Sequence, residues 1–327
     1  MNSSGDAAEQ IVRMSLEGTE VALRLTGSAA KNIAAALYTI LQNKDKNKIR
    51  GKQRLTAMLK SGKELKVFTV SEEHLKQFFD KVDPQLYTSV DIYPLNIASG
   101  INSDYFYNLD VFATECRNRG IPFGVYIQSV SFNKNKRTPD EQEMRWQAYC
   151  ALSFGAQDIE YFTYCTPIST TEDFKDALVD LNNEKTERWY GAQSINRALH
   201  LMSDAFMQYQ NLGAFTVNPT SAGFMKFSNQ YKDFDAIADV RVSDNRPVLI
   251  GAFASDTAEH SRAFTCVDLG DPGLEMASPT EVTVQLTDAV AATMYYKDTV
   301  TTLTPDENGC ITFTLHNGDG AFITLGN

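Results

Sequence analysis

Between Thr138 and Pro167 the spacing of apolar residues changes period. Met144, Ala148, Ala151 and Leu152 recur at helical spacing and predict a helix with one apolar face. Thr138 is placed to cap it, Pro139 to be its first residue and Glu141 to close a capping box. Gly155 is the residue type that ends a helix in the left-handed conformation. Ile159 to Tyr164 then reads as a short buried strand rich in aromatics, bounded by Pro167. A helix feeding a buried strand within a few residues is half of a βαβ unit.

The flanks repeat the unit. Ile121–Ser129 predicts a second buried strand, Val90–Pro94 a third, and Tyr105–Arg119 the helix between them. After Tyr164, Trp189, Ala192, Ile195, Leu199, Met202 and Phe206 form a long helical stripe, with Gly213 as its stop. Beyond Gly213 the period becomes two. Strands are predicted at 222–227, 236–242, 248–253, 263–268, 281–286, 293–296, 311–315 and 321–325. Turn signals at Asn245-Arg246-Pro247, Asp271-Pro272-Gly273, Asn308-Gly309 and Gly318-Asp319-Gly320 separate them, which predicts an antiparallel β-sandwich. Before residue 80, helices are predicted over Asp6–Leu16, Val21–Leu41, Arg54–Lys60 and Glu72–Phe79, and a strand over Leu65–Val70. Ile33, Leu37, Ile40 and Leu41 make the apolar stripe of the second helix.

The expected architecture is therefore multidomain α/β plus all-β. A small helical segment spans 1–79, about three strand-helix units of a partial (β/α) barrel span 80–212, and a β-sandwich spans 213–327. A complete barrel needs about 250 residues and eight strands. Three parallel strands alone leave an open edge, which oligomerisation would cover.

Charge divides the chain differently from hydropathy. The net charge is −11, but residues 1–80 hold 13 Lys and Arg against 9 Asp and Glu, and the acidic excess lies wholly beyond them. Nine basic residues from Lys44 to Lys66 face only Asp45 and Glu64. Lys44, Lys46, Lys48, Arg50, Lys52 and Arg54 are the candidate nucleic-acid contacts; a solvated linker is the other reading of the same charge. Five unpaired cysteines and four scattered histidines predict buried thiols in a reducing cytoplasm, with no metal site and no cofactor. No apolar run of about 18 residues predicts a membrane span, and the first ten residues do not read as a secretory signal.

Two resemblances sharpen these expectations. DIYP, PFGVYIQS, RTPDEQEMRWQAY and GAQDIEYFTYCTP resemble the last strands of a glycoside hydrolase barrel, of the beta-galactosidase-like family forty-two type. GDGAFITL is similar to the final strand of the sandwich that follows such barrels. The resemblance implies a retaining hydrolase of β-glycosides, for which two carboxyl groups about 5 Å apart are required. In such barrels the fourth strand carries the acid/base and the seventh the nucleophile. Here the candidate seventh strand ends Gln128-Ser129 with no carboxylate, so the catalytic pair is incomplete. Asp91 is the one catalytic candidate, and Asp91, Tyr93, Gln128, Ser129 and Tyr164 are the candidate carbohydrate contacts. Asp91 as the cap of a turn before Pro94 is the competing reading. Glu160 begins its strand, away from the catalytic rim, Trp146 and Tyr161 are expected in the core, and Arg145 is expected in a surface ion pair.

The second resemblance covers residues 6–78. AAEQIVRMSLEGTEVALRLTGSAAKNIAAALYTIL and GKQRLTAMLKSGKELKVFTVSEEHLKQF are similar to PcfB-like accessory proteins of conjugative elements. That family implies a relaxase, a coupling protein or DNA as partner. The chain thus reads as two unrelated pieces joined near Phe79.

Overall fold

The computed structural model describes residues 10–16, 19–25, 53–59, 64–69, 72–81, 85–97, 100–102, 104–220, 234–273 and 279–326. Among them lie four α-helices and several antiparallel sheets, a mixed α/β architecture. No helix among the described residues is long and apolar enough to cross a membrane. The chain divides into two compact units, Met1–Val90 and Asp91–Asn327.

In the first unit, β1 (Gln10–Leu16) and β2 (Thr19–Leu25) form an antiparallel hairpin in the register Gln10↔Leu25 to Leu16↔Thr19. β3 (Gln53–Leu59) and β4 (Glu64–Thr69) form a second. Within the described residues, the helices expected over Asp6–Leu16, at the start of Val21–Leu41 and over Arg54–Lys60 are therefore corrected to strands at 10–16, 21–25 and 54–59. The reason is in the pattern: apolar residues at 12, 14 and 16, at 21, 23 and 25, and at 55, 57 and 59 repeat every second position. Ala, Leu, Glu and Arg raise helix propensity there, and propensity is the weaker signal. β4, α1 (Glu72–Lys81) and β5 (Gln85–Asp91) follow. The stripe of Ile33, Leu37, Ile40 and Leu41 lies outside the described residues, as do Lys44, Lys46, Lys48, Arg50 and Lys52; Arg54 lies on β3.

In the second unit, the short β6 (Leu95–Asn96) and β7 (Gly100–Ile101) pair ahead of α2 (Tyr105–Arg119). β8 (Phe123–Gln128) and β9 (Asp158–Phe162) are parallel, joined through α3 (Glu141–Ser153). α4 (Glu187–Phe206) comes next. Gly120, in the left-handed conformation, ends α2, and Gly155, also at positive φ, follows the last turn of α3. The N-cap of α3 is Asp140, not Thr138: Asp140 accepts from the Glu143 amide and Glu143 accepts from that of Asp140. α4 ends at Phe206, so Gly213 does not stop it; Gly213 lies at a bulge in the following strand.

Two antiparallel sheets complete the unit. One has the order β10 (Gln210–Val217), β12 (Val248–Ala254), β13 (Arg262–Asp268), β18 (Gly320–Leu325), β15 (Ala292–Tyr296), β16 (Thr299–Leu303). The other is β11 (Ile237–Val242), β14 (Thr280–Leu286), β17 (Cys310–Leu315). Val248, Ile250, Phe264 and Ile323 of the first share one core with Val282, Val284, Ile311 and Phe313 of the second. Strand patterns follow from what covers each face. β14 alternates buried and less buried positions because one of its faces is covered. β18 is buried at all six positions because the back of its sheet carries α3 and α4. Phe206 of α4 sets its ring edge-on to Phe253 and Phe322 at 5.3 and 5.2 Å.

α3 is buried from Glu143 to Ser153, since it packs on β8, on α4 and on β12, β13 and β18. Trp146 is in the core, stacked on Tyr105 at 5.5 Å. Cys116, Cys150, Cys266 and Cys310 are buried, as expected, but Cys165 is exposed, because the chain has left β9 by then. The strand expected at 222–227 lies outside the described residues.

Candidate functional site

The C-terminal ends of β8 and β9 are tied together by backbone. The Ser129 amide donates to Phe162 O at 2.9 Å, and Ser129 Oγ donates to Thr163 O at 3.3 Å. The Phe162–Thr163 peptide bond is cis. Gln128, fully buried, spends its side chain on the neighbouring backbone. Its Nε2 donates to Arg137 O at 2.6 Å and Leu95 O at 3.3 Å, and its Oε1 accepts from the Leu95 amide at 3.2 Å. Gln147 of α3 grips the same residue, accepting from the Gln128 amide at 2.8 Å and donating to its carbonyl at 3.1 Å. The Gln128 amide group thus pins two loops over the strand end.

Tyr93 belongs to an aromatic cluster on the same rim. Its ring centroid is 5.1 Å from Phe132 and 5.2 Å from Phe162, with Phe174 beyond. Asp91, the last residue of β5, is buried. The rim therefore brings Tyr93, Gln128 and Ser129 together. Tyr164 is elsewhere: 57% exposed, it lines a groove of about 630 Å³ with Tyr161, Trp189, Asn196, Arg197 and His200. Tyr161 Oη donates to Asn196 Oδ1 at 2.9 Å, and burial pushes that phenol well above its usual range. Glu160 sits mid-strand in β9, opposite Tyr126.

Charged residues that the sequence reading placed in no site crowd the entrance to α3. Arg137 pairs with Glu143 through Nε at 2.6 Å and with Asp271 at 3.2 Å. Burial raises the Glu143 carboxyl against the lowering pull of Arg137. Lys136 donates to Asn96 Oδ1 at 2.8 Å and to Tyr93 O, and burial pulls its ammonium down to about 8. Arg145, expected on the surface, is buried. It pairs with Glu141, donates to Ser194 Oγ at 3.1 Å and lies 3.6 Å from Asp319. The Arg-Thr-Pro-Asp-Glu stretch read as a helix start was the signal for this cluster; its partners at 271 and 319 are too distant in sequence to read.

The larger cleft lies beside this network. It holds about 790 Å³ between the N-terminal turns of α3, those of α4 and Lys297-Asp298. Thr138, Asp140, Glu141, Arg145, Arg188, Tyr190, Ser194 and Arg197 are among its walls. Among the described residues, no three His, Cys, Asp or Glu side chains cluster closely enough to hold a metal ion.

In comparison with known proteins, residues 30–82 match a family described as a protein of unknown function, DUF3801. No curated protein matches the chain.

Proposed function

We propose that residues 80–327 derive from a retaining glycoside hydrolase acting on β-glycosides. On this reading residues 80–212 are the last three units of a (β/α) barrel and residues 213–327 its β-sandwich. The observation that carries the reading is the parallel β8-α3-β9 unit, with α3 laid on the six-stranded sheet behind it. Of the five residues named from the sequence, Asp91, Tyr93 and Ser129 remain its candidate carbohydrate contacts, since the Gln128 amide is spent on the backbone of Leu95 and Arg137 and Tyr164 lines a separate groove. Retention of configuration needs two carboxyl groups on one rim, about 5 Å apart. β8 ends in Gln128-Ser129 and β9 in Phe162-Thr163, so Asp91 stands as the single strand-end carboxylate of the three strands. The purified chain is therefore expected to release no chromophore from nitrophenyl β-galactoside or β-glucoside above a buffer blank. Turnover that disappears in Asp91→Asn would overturn this account.

A second reading rests on the amino-terminal segment, where the family match at 30–82 overlaps the basic stretch. We propose that residues 1–79 serve a conjugative-transfer complex through DNA, a relaxase or a coupling protein. Lys44, Lys46, Lys48, Arg50, Lys52 and Arg54 would neutralise backbone phosphates. Each phosphate contact contributes about 0.9 to the slope of log affinity against log salt on duplex DNA. Replacing Lys44, Lys46 and Lys48 with Gln is expected to weaken duplex binding and lower that slope by about 3, measured by gel shift from 50 to 200 mM salt. Binding indifferent to salt, or unchanged in the triple variant, would remove this reading.

A further inference from the structure

We propose that the cleft between α3, α4 and the Lys297-Asp298 turn binds an acidic sugar, a small polyhydroxylated molecule carrying one oxyanion. The site is separate from the strand-end rim and does not depend on the hydrolase reading.

The first observation is Arg145. It lines the cleft and is only 4% exposed, yet its Nη1 is buried without a hydrogen-bond partner. Its other nitrogens are engaged: Nη2 by Glu141 and Ser194, Nε by Asp319. A desolvated guanidinium nitrogen with no acceptor is costly, and an oxyanion is the acceptor that matches it best.

The second observation is how the remaining charges of the cleft are distributed. Four cations and four carboxylates line it. Among the carboxylates, Asp140 caps α3, Glu141 holds Arg145 and Glu187 acts on Arg188. Of the cations, Lys297 is held by Asp319 at 2.9 Å, and the Arg188 guanidinium, pulled down by burial, is supported by Asp176 and Glu187. Arg197 is exposed and has no partner among the described residues. Arg197 thus remains as the exposed guanidinium for a single oxyanion, and Arg145, one nitrogen of which lacks an acceptor, lines the same cleft. The balanced lining disfavours a polyanion such as DNA.

The rest of the cleft suits a sugar. Tyr190, 57% exposed, offers an aromatic face to the apolar face of a pyranose ring. The Thr138 and Ser194 hydroxyls and the Asp298 carboxylate can exchange hydrogen bonds with ring hydroxyls. The oxyanion is a carboxylate or a phosphate, and the experiment separates the two.

Isothermal titration calorimetry of the full chain with glucuronate, galacturonate, glucose 6-phosphate and glucose tests the site. Saturable binding of the uronates or of the phosphate ester is expected, with none for glucose at the same concentrations. Binding of the uronates alone assigns the carboxylate, and of the ester alone the phosphate. Arg145 is too deep in the fold to substitute cleanly, so the variants are Arg197→Gln and Tyr190→Ala, both at exposed side chains. Affinity should fall at least tenfold in the first and several-fold in the second. No saturable binding of any anion, equal binding of glucose, or an unchanged affinity in Arg197→Gln would overturn the proposal.

Discussion

Substituting Gly251 with alanine will destabilise the second unit by about 3 kcal/mol, at the upper end of ordinary overpacking costs. Gly251 lies in β12, where α3 crosses the six-stranded sheet. A Cβ at this position would stand 2.7 Å from Ser153 Cα and 2.5 Å from Thr265 Oγ1, and closer still to Ser153 O. None of these atoms can move cheaply. Ser153 O already accepts from Asn211 Nδ2 at 3.0 Å, and Ser153 Oγ and Thr265 Oγ1 are 2.7 Å apart. Gly320 in β18 repeats the arrangement, since its Cβ would meet the Tyr149 ring. Gly251 lets the α3 backbone, and Gly320 the Tyr149 side chain, approach the sheet at a distance that no added Cβ permits. Gly120→Ala is the control: its Cβ would meet nothing within 4 Å, so it carries only the left-handed backbone cost of about 1 kcal/mol. Thermal unfolding should show the first variant melting about 6–12 °C below the parent. If Gly251→Ala loses no more than Gly120→Ala, α3 does not rest on the sheet as described.

Much of this packing was legible in the sequence, but only where one local signal dominated. α2, α3 and α4 follow from apolar spacing, and seven of the eight strands expected after Gly213 are present within a residue or so. The N-cap of α3 was displaced because Thr138-x-x-Glu141 and Asp140-x-x-Glu143 fit the same capping motif. The second is formed because Arg137 holds Glu143 and so fixes it beside the Asp140 amide. β10 was missed because Gly213 interrupts its alternation at a bulge, and a glycine after a helix reads as a stop. β16, Thr-Val-Thr-Thr-Leu, is exposed on most of its length and carries no apolar alternation to find. The rim was less legible still. Gln128 looked like a sugar contact because it ends a strand; what occupies it is the backbone of residues 95 and 137, which pattern cannot place beside it. Asp319 looked like the middle of a turn.

That aspartate is where the second large effect is expected: Asp319→Ala should cost about 3–5 kcal/mol, the penalty for leaving buried cations without their partner. Asp319 is fully buried, immediately before β18. Its Oδ1 accepts from Gln142 Nε2 at 2.9 Å and faces Arg145 Nε at 3.6 Å. Its Oδ2 accepts from Tyr296 Oη and pairs with Lys297 at 2.9 Å. Burial, with the carboxylate beside it, raises the Tyr296 phenol well above its usual range, which favours the phenol as donor to Asp319. One carboxylate thus ties α3 to β15 and β18. The loss should come mainly from Arg145, whose side chain is 5% exposed, since Lys297 at 40% can turn to water. Lys297→Met alone is therefore expected to cost under about 1 kcal/mol. In the Asp319→Ala background the same change should cost less again, because the pair is already broken. Asp319→Asn should lie between parent and alanine: it keeps an acceptor for Tyr296 and loses the charge that holds Arg145. Urea unfolding of the four proteins supplies the cycle. A cost under about 1 kcal/mol for Asp319→Ala would mean that this carboxylate does not hold α3 against the sheet, and strictly additive losses with Lys297→Met would mean that the Lys297 pair contributes nothing.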